Sequence, residues 1–208
     1  MIGYYGGSFD PIHNGHVEIA RFIAGFEAVD SVCFVPAATH PLGKKISSFS
    51  HRIEMTRLAV KGIAGLSVSD MDNGNAGPCY TIDLLNRLKK SGKKPFFFIA
   101  GMDNLNQLFE WKGWEQLLQT FPIVFTTRAG LDVDEAALNR IFNATGRNIT
   151  PSERIEADFS GSTLLRVPDY AISSSEIRKM ILNGESPSGM INSDVLDYID
   201  THDLYRKG

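Results

Sequence analysis

Apolar residues along this chain follow two alternating patterns. Short runs rich in Val, Ile and Phe have the length of buried strands, and they lie at 2–5, 31–35, 66–68, 96–100, 123–126 and 163–167. Between these runs, apolar residues recur at helical spacing, and one such stripe consists of Ile19, Phe22, Ile23 and Phe26. Its i, i+3, i+4, i+7 spacing predicts a helix with one buried face. The chain therefore alternates strands with helices over most of its length.

Further helices are indicated by their start signals. Ser50 is placed to cap a helix that runs through Met55. Ser173 and Glu176 have the spacing of a capping box at the start of another helix. A last helix is predicted over roughly 193–201, and residues 132–147 also have a helical pattern, for which we assign no function.

This alternation predicts an α/β fold with a Rossmann-like, doubly wound and mostly parallel sheet. A small helical portion follows from about residue 170 to residue 208. In sheets of this kind, ligands bind in the crevice at the carboxyl ends of the strands. The residues that directly follow each strand are therefore the candidates for a functional site.

Composition and charge narrow the class of protein. A chain of 208 residues that is 43% apolar suits a single domain over 1–208 with a sizeable core. The net charge of −3 provides no broad basic surface, so we expect no nucleic-acid partner. No apolar stretch approaches the ~20 residues that a membrane span needs, so we expect no membrane partner. Cys33 and Cys79 are isolated, and Met1 leads into a strand without room for a signal peptide; a cytoplasmic protein is expected.

The loop after the first strand carries the strongest chemical signal. Residues 6–16 read Gly-Gly-Ser-Phe-Asp-Pro-Ile-His-Asn-Gly-His and lead into the first helix. Glycines let backbone N–H groups approach an anion, and a helix N-terminus adds about half a positive charge. The loop is neither a Walker A loop nor a dinucleotide fingerprint. His13 and His16 can donate to phosphate oxygens as charge develops, which makes them candidate catalytic residues. The alternatives are a zinc pair, which needs further ligands, or a structural helix start.

This block resembles the nicotinate-nucleotide adenylyltransferases of the nucleotidyltransferases that contain a His-x-Gly-His element. The resemblance implies an ATP site, to which the loop contributes Gly7, Ser8, Phe9, His13 and His16. Backbone groups of Ser8 and Phe9 would contact the nucleotides, and Gly15 would leave room for a base or sugar beside the backbone.

A second part of the ATP site is implied near the other end of the chain. Residues 172–178, Ile-Ser-Ser-Ser-Glu-Ile-Arg, resemble the family's Ile-Ser-Ser-Thr-x-Ile-Arg. Ser173, Ser174 and Arg178 would hold the outer phosphates, and Ser173 would also cap its helix. Gly101 and Asp103 match a Gly-x-Asp element that serves the adenosine side.

The acceptor side of the resemblance rests on the third helix start and on one tryptophan. Tyr80 and Thr81 match the Tyr-Thr of a Ser-Tyr-Thr element that recognises the pyridine carboxylate, although Thr81 alternatively only caps its helix. Trp111 would stack on the pyridine ring, and core packing is its alternative. Arg128 follows the fifth strand and is assigned to the same nucleotide, although Ala129 replaces the usual proline.

The loop after the second strand departs from the family pattern. Relatives usually have Pro-Pro-His-Lys there, whereas this chain has Leu42 and Gly43 in place of the second proline and the histidine. Lys44 and Lys45 are assigned to a phosphate-binding loop, and the alternative is a pair of solvated lysines.

The resemblance implies that the enzyme transfers AMP from ATP to nicotinate mononucleotide and releases pyrophosphate, a step of NAD biosynthesis. It also implies Mg²⁺ held mainly by substrate phosphates, with no metal site on the protein. One alternative is an enzyme that uses nicotinamide mononucleotide or both acceptors. More distant alternatives are pantetheine-phosphate adenylyl transfer, cytidylyl transfer and a non-catalytic nucleotide-binding protein. The expected partners are ATP and nicotinate mononucleotide, and a homo-oligomer is left open.

Overall fold

The strands of the computed structural model, which describes residues 1–39, 45–73, 80–92, 94–128 and 132–206, form one sheet. They are β1 (Ile2–Gly7), β2 (Ser31–Pro36), β3 (Leu66–Val68), β4 (Phe96–Gly101), β5 (Ile123–Thr126), β6 (Ile149–Ser152) and β7 (Ser162–Leu165). Their order is β3-β2-β1-β4-β5-β7-β6, and every pairing is parallel. The predicted doubly wound α/β fold is confirmed, and its strand order reverses between β1 and β4, where such sheets bind ligands.

Helices connect the strands and follow the last one. They are α1 (Asn14–Ala24), α2 (Phe49–Val60), α3 (Thr81–Ser91), α4 (Met102–Asn106), a 3₁₀ helix (Leu108–Glu110), α5 (Trp114–Thr120), α6 (Glu135–Thr145), α7 (Ser174–Leu182) and α8 (Ser193–Thr201). In the part of the chain that the structure describes, no helix is both long enough and apolar enough to cross a membrane.

Each face of the sheet is covered by its own apolar cluster. On one face, Ile23 of α1, Met55 of α2 and Ile199 of α8 pack with Phe34 of β2. On the other face, the apolar sides of α3 and α5 pack on β4 and β5. The helices near residues 170–208 therefore share the core of α1 and α2, which brings α7 next to the loop that follows β1.

The structure differs from the predicted elements at three places. β6 was not predicted, because it pairs only with β7 at the sheet edge and lacks a continuous apolar run. The N-cap of α2 is Ser48 and not Ser50, since Ser48 Oγ accepts from His51 N at 3.3 Å. The run at 163–167 forms a strand only up to Leu165.

Candidate active site

A cavity of about 580 Å³ lies at the carboxyl ends of β1, β4 and β5. Most of the predicted site residues line it: Gly7, Ser8, Phe9, His13, His16, Thr81, Gly101, Asp103, Trp111, Arg128, Ser173, Ser174 and Arg178. Tyr80 does not line this cavity; it borders a small adjacent depression together with Thr81 and Trp111. Lys45 is exposed and does not line the cavity, and Lys44 lies outside the described residues.

His13 and His16 cap their own helix reciprocally. His13 Nδ1 accepts from His16 N, and His16 Nδ1 accepts from His13 N, each at 3.3 Å. The two rings are stacked with their centroids 3.6 Å apart. A neutral imidazole carries one proton, and a nitrogen that accepts a hydrogen bond cannot carry it. The backbone therefore assigns the proton of each ring to Nε2, which makes Nε2 the donor available to a ligand.

Both imidazoles are neutral at physiological pH. Burial, followed by the nearby Arg128 charge, lowers the pKa of His13 to about 4. Burial also lowers the pKa of His16 well below its usual value, with His13 and Arg128 as smaller causes. The two rings thus offer neutral N–H donors without a fixed positive charge. Their predicted response to charge developing on phosphate stays a prediction, and neutral donors are compatible with it.

The depressed pKa of His13 makes folding sensitive to acid. The unfolded chain protonates this ring near pH 6.5, whereas the folded chain does so only near pH 4. As the pH falls, His13 is therefore protonated in the unfolded chain before it is protonated in the folded chain. This difference lowers the free energy of unfolding by about 2 kcal/mol between pH 7.5 and pH 5. His13→Asn keeps a capping oxygen but has no titrating ring. Between the same two pH values, we expect the free energy of unfolding of this variant to fall by about 2 kcal/mol less than that of the wild type. Urea unfolding at the two pH values measures the difference, and equal losses would contradict the assignment.

Gly15 separates the two histidines and leaves room for protein atoms. A Cβ at this position would lie 3.1 Å from His13 Nδ1 and 3.1 Å from Tyr170 Cβ. The sequence-based interpretation was that Gly15 leaves room for a nucleotide. The structure shows a closer reason, since a side chain here would displace the capping imidazole.

The serine–arginine helix start contacts the histidine loop directly. Ser174 Oγ donates to Pro11 O at 2.9 Å, and Arg178 Nη1 donates to Asp10 O. Ser173 caps α7, since its hydroxyl oxygen accepts from Glu176 N at 3.1 Å. The two predicted halves of the ATP site are therefore adjacent on one cavity, although they lie far apart in the sequence.

Arg52 is a structural residue that sequence reasoning missed. Its side chain is fully buried and donates from Nη1 to Ser8 O at 2.8 Å, from Nη2 to Ala38 O at 3.0 Å and from Nε to Ser47 O at 2.9 Å. These carbonyls follow β1, follow β2 and precede α2, so one guanidinium fixes three backbone segments. An arginine in a helix is ordinarily predicted on the exposed face, and no local signal marks Arg52 as buried.

The acceptor side of the cavity is formed by the start of α3 and by Trp111. Tyr80 and not Thr81 is the N-cap of α3, and no side chain makes a capping hydrogen bond there. Trp111 lies edge-on to Phe98, with ring centroids 6.5 Å apart, and lines the cavity, whereas Trp114 is buried in the core. Lys112, which the sequence did not single out, places Nζ 4.5 Å from the centroid of the Tyr80 ring.

Known proteins resemble this chain over nearly its whole length. A sequence model of the cytidylyltransferase-like family matches residues 4–180. A relative from Pseudomonas entomophila, called a probable nicotinate-nucleotide adenylyltransferase, is 33% identical over 208 residues, which cover 99% of this chain and 94% of the relative. A relative of the same name from Nocardioides sp. is 32% identical over 203 residues, covering 96% and 91%. The chain belongs to the nicotinate-nucleotide adenylyltransferase family.

Solved structures have the same fold. A nicotinic acid mononucleotide adenylyltransferase of Plasmodium falciparum, complexed with NaAD, superposes with a TM-score of 0.78 at 24% identity, covering 98% of this chain and 96% of that one. The same protein complexed with APC gives a TM-score of 0.75 at 23% identity, with the same coverage. At this level of identity, the likeness supports the fold.

Four positions at which this chain departs from the nicotinate-nucleotide adenylyltransferase pattern lie outside the described residues, whereas Ser175, which stands in place of the family's threonine, lies in α7. The four positions are Leu42, Gly43, Cys79 and Ala129. The roles of the cavity-lining residues remain predictions, and the structure adds to them a shared cavity, neutral imidazoles and a direct contact between the two loop–helix corners.

Proposed function

We propose that this chain transfers AMP from ATP to nicotinate mononucleotide, forming deamido-NAD and pyrophosphate for NAD biosynthesis in the cytoplasm. The observation that carries the proposal is the adjacency of the histidine loop and the α7 start on one cavity. Each corner offers phosphate-binding donors, and together they are suited to one triphosphate. We also propose that residues 1–208 act as a single domain, since α7 and α8 share the core of α1.

The reaction requires alignment and charge stabilisation. A phosphate oxygen of the acceptor bonds to the α-phosphorus of ATP, and the bond from that phosphorus to the bridging oxygen breaks, so pyrophosphate leaves with the electron pair. His16 Nε2–H donates to the crowded α-phosphate, and His13 Nε2–H orients the triphosphate. Ser173, Ser174 and Arg178 hold the β- and γ-phosphates as they leave. No protein nucleophile takes part, because the acceptor attacks directly.

The residues present are compatible with Mg²⁺ carried by the substrate. In the described parts of the chain, no group of three or more His, Cys, Asp and Glu side chains is arranged to hold a metal ion. Two of the carboxylates that line the cavity, those of Asp10 and Asp72, accept hydrogen bonds from Ser47 N and Ala38 N respectively. This donor set suits an ion that phosphate oxygens and water coordinate, the usual mode for Mg²⁺ in nucleotide sites. When bound, the ion would neutralise triphosphate charge.

A pyrophosphate-release assay with paired substrates tests the function. ATP with nicotinate mononucleotide should give turnover. Faster turnover with nicotinamide mononucleotide would show that this compound is the acceptor. Turnover with phosphopantetheine or with CTP would show pantetheine-phosphate adenylyl transfer or cytidylyl transfer instead. ATP binding without turnover on any acceptor would favour a nucleotide-binding protein and contradict the proposed activity.

Trp111 is proposed to stack on the pyridine ring. We expect Trp111→Ala to raise the KM for nicotinate mononucleotide by about tenfold or more, the usual value of a base–aromatic stack, and to leave the KM for ATP nearly unchanged. Trp111→Phe keeps a flat ring, so we expect it to raise the KM for nicotinate mononucleotide less than Trp111→Ala does. Steady-state kinetics with each substrate varied in turn measures both constants, and an equal loss for both substrates would contradict stacking.

A further inference from the structure

Tyr205 joins the segment after α8 to the histidine loop. Its hydroxyl donates to Asp10 Oδ1 at 2.7 Å, across a sequence separation of 195 residues. Asp10 is only 5% exposed and lines the cavity. A buried carboxylate is stable only when its oxygens are hydrogen-bonded. Tyr205 is therefore one of the groups that satisfy the Asp10 oxygens and hold this side chain in place.

Asp10 links several parts of the ATP site. Its Oδ2 accepts from Ser47 N at 3.3 Å, and its backbone oxygen accepts from Arg178. The guanidinium of Arg52 adds positive charge nearby and also holds Ser8 O. The position of Asp10 therefore determines where the Arg178 fork points and where the backbone after β1 lies.

The hydroxyl of Tyr205 is a permanent donor in this network. Burial, followed by the charge of Asp10, raises the pKa of Tyr205 above its ordinary value. The residue has a positive φ of 64°, a backbone conformation that side chains other than glycine seldom adopt. Tyr205 thus contacts Asp10 from an unfavourable backbone conformation. Strained residues of this kind occur most often at functional sites.

We propose that Tyr205 is a positioning residue for ATP: through Asp10 it holds the Arg178 guanidinium in the geometry that receives the outer phosphates. The inference rests on the proposed function, because it takes ATP as the ligand of this cavity. A purely structural role for Tyr205 would fasten the segment after α8 without any dependence on Arg178.

Tyr198 provides a matched control. It lies on α8 a short distance before Tyr205, and its hydroxyl bonds to His51 Nδ1 at 3.0 Å, a residue that does not line the cavity. Tyr198→Phe and Tyr205→Phe each delete one hydrogen-bonded hydroxyl from the same region of the chain. Thermal unfolding of both variants measures the general cost of such a deletion.

The test is calorimetric binding of Mg-ATP without acceptor, because this readout does not depend on which acceptor the enzyme uses. Loss of one hydrogen bond predicts that Tyr205→Phe raises the Kd for ATP by about five- to tenfold, whereas Tyr198→Phe stays within about twofold. In an Arg178→Lys background, Tyr205→Phe should add less than about twofold, since its effect passes through the Arg178 fork.

The outcomes separate this inference from the function on which it rests. Wild-type affinity in Tyr205→Phe would overturn the positioning role, and so would an equal loss in Tyr198→Phe. A full five- to tenfold loss that persists beside Arg178→Lys would also overturn it, because the effect would not pass through Arg178. A wild-type protein that does not bind ATP would overturn the proposed function, and the inference with it.

Discussion

Replacing His16 by Ala is expected to lower kcat by about 10²–10³-fold, the usual cost of removing one donor that stabilises transition-state charge. His16 is half-buried, and its Nδ1 accepts from the backbone of His13. Its remaining nitrogen, Nε2, therefore carries the proton and is the group that we propose donates to the α-phosphate. The α-phosphate gains charge and becomes crowded as the acceptor attacks, so the donor acts mainly in the transition state. We therefore expect the substitution to lower kcat and to change substrate binding much less.

His16→Asn separates the donor from the helix cap. The Asn side-chain oxygen occupies nearly the place of Nδ1 and can accept from His13 N, whereas nothing replaces Nε2–H. We expect this variant to have nearly wild-type stability and a kcat as low as that of His16→Ala. Single-turnover kinetics with saturating substrates, together with thermal unfolding, measures both quantities. A kcat close to wild type in the folded Asn variant would exclude His16 as a catalytic donor.

Arg178→Ala is expected to lower kcat/KM for ATP by about 10²-fold, because removing one charged partner of a buried ion pair typically costs about 2–5 kcal/mol. The guanidinium bonds to Asp10 O and Ser175 Oγ, so its fork is already oriented toward the cavity before ATP binds. Preorganisation of this kind increases the contribution of each phosphate contact, since little side-chain freedom is lost on binding.

Arg178→Lys provides the matched variant. Lysine keeps the positive charge but lacks the planar fork that can contact Asp10 O and a phosphate together. We expect an intermediate kcat/KM for ATP and an unchanged KM for the acceptor, measured with each substrate varied in turn. Full activity in Arg178→Lys would show that charge alone suffices, and full activity in Arg178→Ala would remove the residue from the ATP site.

The parts of the site that the sequence predicted are those encoded locally. The loop at 6–16 carries its glycines, its histidines and its helix start within one segment, so strand, turn and donors follow from adjacent residues. Ser173 likewise caps the helix that its own position predicts. Apart from β6, the order of strands and helices along the chain followed from periodicity, and this order was enough to place both corners at the same edge of the sheet.

The remainder depends on contacts between distant segments. Arg52 is buried only because three carbonyls from separate loops converge on it, and no periodicity indicates that convergence. Tyr205 lies in a short segment after α8, and only its contact with the distant Asp10 indicates a role for it. The pKa of His13 depends on burial and on Arg128, which are tertiary properties. Even the reciprocal cap of the two imidazoles was hidden, because histidine is not a usual capping residue.

The long sequence separations in this site bear on how the protein is made. Arg178 and Tyr205 contact Asp10 across sequence separations of 168 and 195 residues. The strands from β1 to β5 can pair during synthesis as soon as they emerge. The second part of the proposed ATP site, the start of α7, is absent until α7 has been translated. We therefore expect a nascent chain to be unable to bind ATP through most of its synthesis, because Tyr205, in the segment after α8, is the last residue to contact Asp10.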